Sequence, residues 1–227
     1  MKKILVLLIC FFPLLVGLKA QTNIETNKWF VSFSTGFCIG GPVSSINNAL
    51  TDQNFDVASN GWFGPVSYPV TTNKPPLLFM FGKRITKYGS LFLVVGQPTG
   101  GKAEGYNGVS FVTFDYHVLQ FTLGYQFTFP KTRFKVGIGP SLFIFKNSAE
   151  ADYQSASAQS STVPGCTINV RVPFGKEKKL FGVELFFQMN LASSTKLEEI
   201  KNLGKTFEAS NIGMTYAIIG ITFAFRG

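Results

Sequence analysis

Ile218-Ile219-Gly220-Ile221-Thr222-Phe223-Ala224-Phe225 stands two residues before the last position of this 227-residue sequence. Side chains on a strand alternate between two faces, so a period of two exposes both. Ile219, Ile221, Phe223 and Phe225 make one large apolar face. Gly220, Thr222 and Ala224 make the other, small or polar. A strand of this kind belongs to a sheet with one apolar side and one side lined by small groups.

The same pattern recurs upstream. Leu119, Phe121, Leu123, Tyr125, Phe127 and Phe129 alternate with Gln120, Thr122, Gly124, Gln126 and Thr128. In all, eight segments alternate: Trp29 to Ile39, Leu77 to about Ile85, Gly89 to Gln97, Leu119 to Phe129, Phe134 to Phe145, Thr167 to Phe174, Phe181 to Asn190, and about Ile212 to Phe225. The connections alternate too. Those at 86–88, 130–133 and 175–179 are short; those at 43–76, 98–116, 146–166 and 192–211 are long. An even number of strands with short turns at one end and long loops at the other predicts an all-β, antiparallel, up-and-down transmembrane β-barrel. Segments of roughly 9–11 residues suit a tilted membrane strand. Asn60-Gly61-Trp62-Phe63-Gly64-Pro65, inside the first long connection, could hide a further hairpin and raise the count to ten. Val109 to Tyr116 also alternates and could extend the fourth strand beyond the membrane.

Composition agrees. The chain is 45% hydrophobic with 25 Phe and only 15% charged residues. Yet after the first twenty residues no run approaches the ~18 apolar residues of a spanning helix. Trp29, Phe127, Phe129, Phe174, Phe181, Phe223 and Phe225 fall at the short-turn ends of their segments, where interfacial aromatic girdles are expected.

Residues 1–20 read as a secretory signal peptide, with Lys2 and Lys3 before the apolar stretch Ile4 to Leu18 and cleavage after Ala20. The mature barrel domain is then 21–227. Cleavage removes three lysines and no acids, so the formal net charge falls from +9 to +6. The remaining basic residues gather near short turns or the C-terminus: Lys83, Arg84, Lys87, Lys131, Arg133, Lys176, Lys178, Lys179 and Arg226. In an exported chain such residues suit anionic lipid headgroups better than nucleic acid. Cys38 and Cys166 fall on non-adjacent strands and are expected to be free thiols. One His and no ligand spacing make a metal site improbable, and no cofactor is expected.

The closing Gly220-x-x-Phe223-x-Phe225 resembles the terminal signal by which outer-membrane β-barrels are recognised for insertion in Gram-negative bacteria. Across 29–225 the chain is similar to the small OmpA/OmpX-like, porin-family barrels. The stretch Phe134-Lys-Val-Gly-Ile-Gly-Pro-Ser-Leu142 is also similar to a strand common among them. The resemblance implies a monomer in the outer membrane, inserted by the barrel-assembly machinery through Gly220, Phe223 and Phe225. It fixes architecture, not activity. The family includes adhesion and stress-related proteins, structural anchors and a few lipid-modifying enzymes.

Parity places Arg84, Lys135, Arg171 and Glu184 inside the barrel. Arg171 and Glu184 flank one short turn at matching distance and should face each other. They make either a gated ion path or an ion-pair network that fills the lumen. The second is favoured, because an eight-stranded barrel is just wide enough for its own side chains, and Met80, Phe143, Phe145 and Phe186 point inward as well. His117, two residues after Asp115, faces lipid near the outer boundary. A lipid hydrolase could use such a His as general base, but Leu119, not a Ser, follows on its face. Thr195-Lys196-Leu197-Glu198 reads as a capping box and Gly204 as a helix stop, predicting a two-turn helix in the last loop. The leading functional expectation is a structural or surface-interaction role, with an unidentified surface or envelope partner. A narrow pore and an outer-leaflet enzyme are the alternatives.

Overall fold

The computed structural model describes residues 28–61, 64–151, 154–174, 181–200 and 206–226. The expected signal peptide, the basic turn at 175–179 and Gly204 lie outside them. The elements in chain order are β1 (Trp29–Gly40), α1 (Pro42–Asp52), β2 (Ser59–Gly61), β3 (Gly64–Val66), β4 (Val70–Asn73), β5 (Leu77–Arg84), β6 (Gly89–Tyr106), β7 (Phe111–Thr128), β8 (Lys135–Ala151), β9 (Gln154–Phe174), β10 (Phe181–Ala192), β11 (Thr195–Leu197), β12 (Ser210–Ile212) and β13 (Tyr216–Arg226).

Eight strands pair antiparallel in the ring β1-β5-β6-β7-β8-β9-β10-β13, and β13 closes it on β1. β2 and β3 form a separate two-stranded sheet, so the hairpin suspected there adds nothing to the wall. Following paired residues around the ring gives Trp29, Lys83, Leu91, Tyr125, Ile138, Ile168, Met189, Ala217 and then Ile39. The circuit returns ten residues along β1 from its start. For eight strands, a stagger of this size means a tilt of about 40°.

That circuit also measures the apolar exterior. From Trp29 to Ile39 the strand rises roughly 25 Å along the barrel axis at that tilt, the height of a membrane-spanning apolar band. At its foot stand Trp29, Phe129, Phe174, Phe181 and Phe225, all exposed. Both ends of the described chain and the turns at 85–88 and 129–134 lie here, at what we term the terminal end. At its top the exterior changes character: β7 passes from Leu119 to His117 and Asp115, and β8 from Ile144 to Lys146 and Ser148.

Above the band, two expected loops turn out to be wall. β6 and β7 stay paired up to Tyr106 and Phe111, so 98–116 is a hairpin with a four-residue tip. β8 and β9 stay paired up to Ala151 and Gln154, so 146–166 is strand as well. Phe111 lies six residues beyond His117 on β7, about 15 Å higher by the same geometry. The polar outward residues here resemble loop sequence, but inward Val112, Phe114, Tyr116 and Val118 are fully buried.

The other two long connections form a cap. α1 leaves β1 through Gly40 and Gly41, at φ 78° and 74°, a conformation glycine adopts without penalty. Pro42 suits its first turn. Val43, Ile46, Ala49 and Leu50 bury one face over Phe55, Phe114, Phe207 and Leu197, all fully buried. Of the helix expected at 195–204, residues 195–197 are strand instead, and 201–204 lie outside the described residues. Thr195 to Leu197 pairs with Ser210 to Ile212, because Thr195 and Leu197 can then both point into the core while Lys196 stays outside.

Candidate functional site

Among the described residues, polar and charged side chains are buried together in the barrel interior. It has three levels. At the terminal end Glu184, fully buried, bonds Lys135 and lies 3.8 Å from Arg171 Nη1. Arg171 Nη1 also donates to Ser32 Oγ at 2.9 Å. The register explains the order of these contacts. Glu184 pairs with Pro173 and Arg171 with Phe186, so acid and guanidinium meet diagonally rather than face to face. Lys135 lies across β9, opposite Arg171. Arg84 is half-buried on β5 and makes no ion pair among the described residues; its backbone N–H donates to Lys28 O at 3.0 Å.

The middle level is a neutral hydrogen-bond web that parity alone did not single out. Thr167 Oγ1 is its hub. It donates to Asn190 Oδ1 at 2.7 Å, accepts from Gln120 Nε2 at 3.0 Å and shares a 2.7 Å bond with Ser141. Thr122 and Ser141 are 2.7 Å apart, and Gln188 Nε2 donates to Gln120 Oε1 at 3.0 Å. Beside the web, Met80, Phe92 and Phe186 are at most 1% exposed. Phe186 lies against Gly220, where an added Cβ would meet Thr35 O at 2.0 Å and the Phe186 ring at 2.8 Å. Gly220 therefore has a packing role: β1 and β13 approach too closely for a side chain there.

The third level is aromatic. Tyr116 stacks on Phe145 at 6.5 Å and Phe143 meets Tyr216 edge-on at 6.0 Å. The cap core closes over them. Along β7 the inward residues thus run Gln126, Thr122 and Gln120, then Val118, Tyr116 and Phe114. The lining turns apolar where the exterior turns polar.

The remaining candidate residues are dispersed. Phe223 and Phe225 flank Phe181 at 6.1 and 5.3 Å on the exterior near the terminal end. His117 faces outward at the top of the band, between Gly100 and Lys146, and hydrogen-bonds no carboxylate or hydroxyl among the described residues. Asp115 instead lies 3.8 Å from Lys74. A nucleophile activated by a neighbouring base needs such a bond, and His117 has none. Cys38 on β1 and Cys166 on β9 form no disulfide with each other. No group of His, Cys, Asp or Glu among the described residues could hold a metal ion.

The chain therefore has the fold of a small eight-stranded outer-membrane barrel. It is similar in fold to several solved structures. The N-terminal β-barrel domain of Pseudomonas aeruginosa OprF matches with a TM-score of 0.44 at 11% identity, covering 89% of this chain and 98% of that one. OprG of Pseudomonas aeruginosa matches at 0.42 and 14%, covering 88% and 96%. Ail, the attachment invasion locus protein of Yersinia pestis, matches at 0.42 and 8%, covering 88% and 100%. No protein-family model and no curated protein matches the sequence. At such identities the likeness concerns architecture alone.

Proposed function

We propose that the protein is a monomeric, integral outer-membrane barrel of a Gram-negative envelope, exported with residues 1–20 removed, whose role is structural or interactional. The terminal end faces the periplasm and the cap faces outward. Outer-membrane lipids surround the apolar band. The partner is an external or envelope component that meets the surface above the band. One observation carries this reading: the lumen is filled at three successive levels, by ions, by amides and hydroxyls, and by rings. A solute path would have to displace all three. What rises above the band is rigid paired strand, suited to display.

The test joins two readouts on one protein. Val109, 73% exposed at the tip of the β6–β7 hairpin, is replaced by Cys in a Cys38→Ala, Cys166→Ala background. A membrane-impermeant maleimide is expected to label it on intact cells. The purified protein should show no resolved conductance steps in a planar bilayer. Steady steps would favour a narrow pore, and labelling only after the outer membrane is opened would reverse the orientation.

The same reading assigns Gly220, Phe223 and Phe225 to insertion. Phe223 and Phe225 line the foot of the band on the closing strand, so they would serve the assembly machinery first and the interface afterwards. The Phe223→Ala, Phe225→Ala variant is expected to insert more slowly and to accumulate as unfolded precursor. Pulse-chase of the heat-modifiable folded form measures it. Wild-type kinetics would leave the terminal strand without that role.

A further inference from the structure

Charge is sorted along the barrel axis. Among the described residues every acid but Glu184 lies in the cap or on the wall above the apolar band. Glu184 is fully buried in the lumen. The terminal end therefore exposes no carboxylate among the described residues. It does present cations: Lys28, Lys87 and Lys131 are exposed and Lys83 is half-buried.

Two of these cations are held by rings rather than by acids. Lys83 pairs with Trp29 across β1 and β5, and its Nζ stands 5.1 Å from the centroid of the Trp29 ring. Lys87, in the turn between β5 and β6, stands 5.2 Å from the Tyr88 ring. Neither meets a carboxylate among the described residues. A ring positions an ammonium without cancelling its charge. The rings continue along the same flank: Tyr88 lies 6.3 Å from Phe127, and Phe127 lies 5.1 Å from Phe129. Phe81, Leu93 and Leu123, one row across β5, β6 and β7, follow above them and are exposed as well. Cations at the foot and apolar side chains above thus form one continuous patch. An ordinary interfacial girdle accounts for the rings and for lysines whose stems lie along them. It does not require that acids be kept away, and that separation selects the headgroup.

We propose that the outer flank of the β5–β6 turn is a site for an anionic glycerophospholipid, one whose headgroup carries a phosphodiester and no amine. Lys83 and Lys87 take the phosphodiester. The acyl chains lie along Phe81, Leu93 and Leu123, and Trp29 keeps Lys83 aimed along the foot of the band. A zwitterionic headgroup brings an ammonium as well, which meets two lysines here and no described carboxylate. An anionic headgroup brings only the charge that the lysines lack. A soluble acidic partner would use the lysines and leave the apolar row idle. The inference rests on the membrane reading above and deepens it: among the lipids around the band, it names the one held at the terminal end.

The folded protein is reconstituted in vesicles of equal parts phosphatidylglycerol and phosphatidylethanolamine with identical acyl chains, then extracted gently at low salt and weighed by native mass spectrometry. Retained phosphatidylglycerol is expected to be favoured about fivefold for each lysine engaged, so roughly 25-fold for the pair. Lys83→Gln combined with Lys87→Gln should bring that preference close to parity. Trp29→Leu keeps every charge and should weaken it, because Lys83 loses the ring that holds it. Lys131→Gln, in the neighbouring turn, should leave it unchanged. Equal retention of the two lipids, no retained lipid, or an undiminished preference in the double variant or in Trp29→Leu would each overturn the proposal. So would an equal loss with Lys131→Gln, which would mean a diffuse field, or displacement by an equal concentration of inorganic phosphate. Heat-modifiable mobility, scored on the same samples, reports insertion separately, so failure of the membrane reading is seen before any lipid is counted.

Discussion

Replacing Glu184 by Ala is expected to lower the stability of the folded barrel by about 3–5 kcal/mol, the range for removing one partner of a buried ion pair. The direction follows from the count of charges. Among the described residues Glu184 is the one acid at this level, and Lys135 and Arg171 both point at it. Removing it takes from Arg171 its one carboxylate among the described residues, in a space walled by Ser32, Ser34 and Thr222, all buried. Lys135 is 15% exposed and can lean toward solvent, whereas Arg171 is 5% exposed and held by Ser32. Most of the loss should therefore come from Arg171. Glu184→Gln keeps an acceptor and should lose less. Arg171→Met, which removes the stranded cation, should restore part of the loss in the Glu184→Ala background. The measurement is the midpoint of heat-induced mobility change on a semi-native gel, backed by denaturant titration in vesicles. Unchanged stability together with new conductance would turn the ion cluster from a filling into a gate.

The strands of the band were legible in the sequence because lipid outside and a polar lumen inside impose opposite chemistry on alternate residues. Leu119 to Phe129 shows it plainly. Above the band that contrast inverts. On β7 the outward residues become Thr113, Asp115 and His117, and the inward ones Val112, Phe114 and Tyr116. The period is still two, but residues expected on the exterior are now polar, and a stretch such as Asn147 to Pro164 reads as loop. Only the faint alternation of Val109 to Tyr116 pointed to the extension. α1 was missed for a related reason. Its apolar spacing, Val43, Ile46, Ala49 and Leu50, is helical, but it lay within a segment assigned to loop. Thr195 to Glu198 erred the other way, since a capping box is a local signal and the pairing of Leu197 with Ser210 is not. In the lumen, parity set Glu184, Lys135 and Arg171 on the inward face. It did not give the order of their contacts, because the stagger of the barrel moves partners diagonally and is invisible within any one strand.

The inversion predicts that cap and barrel can be loosened separately, and Phe207→Ala should do so. Phe207 is fully buried between Phe55 and Phe114, with ring centroids 5.9 and 5.0 Å away. It reaches this site from the β11–β12 connection, while Phe55 follows α1 and Phe114 belongs to the wall. One ring therefore joins the three parts of the cap. Its removal leaves a cavity that costs about 3–5 kcal/mol in a packed core. The cost falls on the cap, because no strand of the ring in the band touches this cluster. Local opening should become roughly 100- to 5,000-fold more populated. Chymotrypsin added to vesicle-inserted protein should then cut within 42–76, after Leu50 or Phe55, both fully buried until the cap opens, at a rate raised by a similar factor. Polar anchors resist this only in part: Gln53 Nε2 donates to Glu208 O at 3.0 Å and to Ser210 Oγ at 2.8 Å, and Gly213 N donates to Ser45 Oγ at 3.0 Å. The heat-modifiable mobility of the barrel should hardly move, and the lumen should stay closed, since Phe143, Phe145 and Phe186 remain below the cap. If the gel midpoint falls together with protease resistance, cap and barrel fold as one cooperative unit and the two-part description fails.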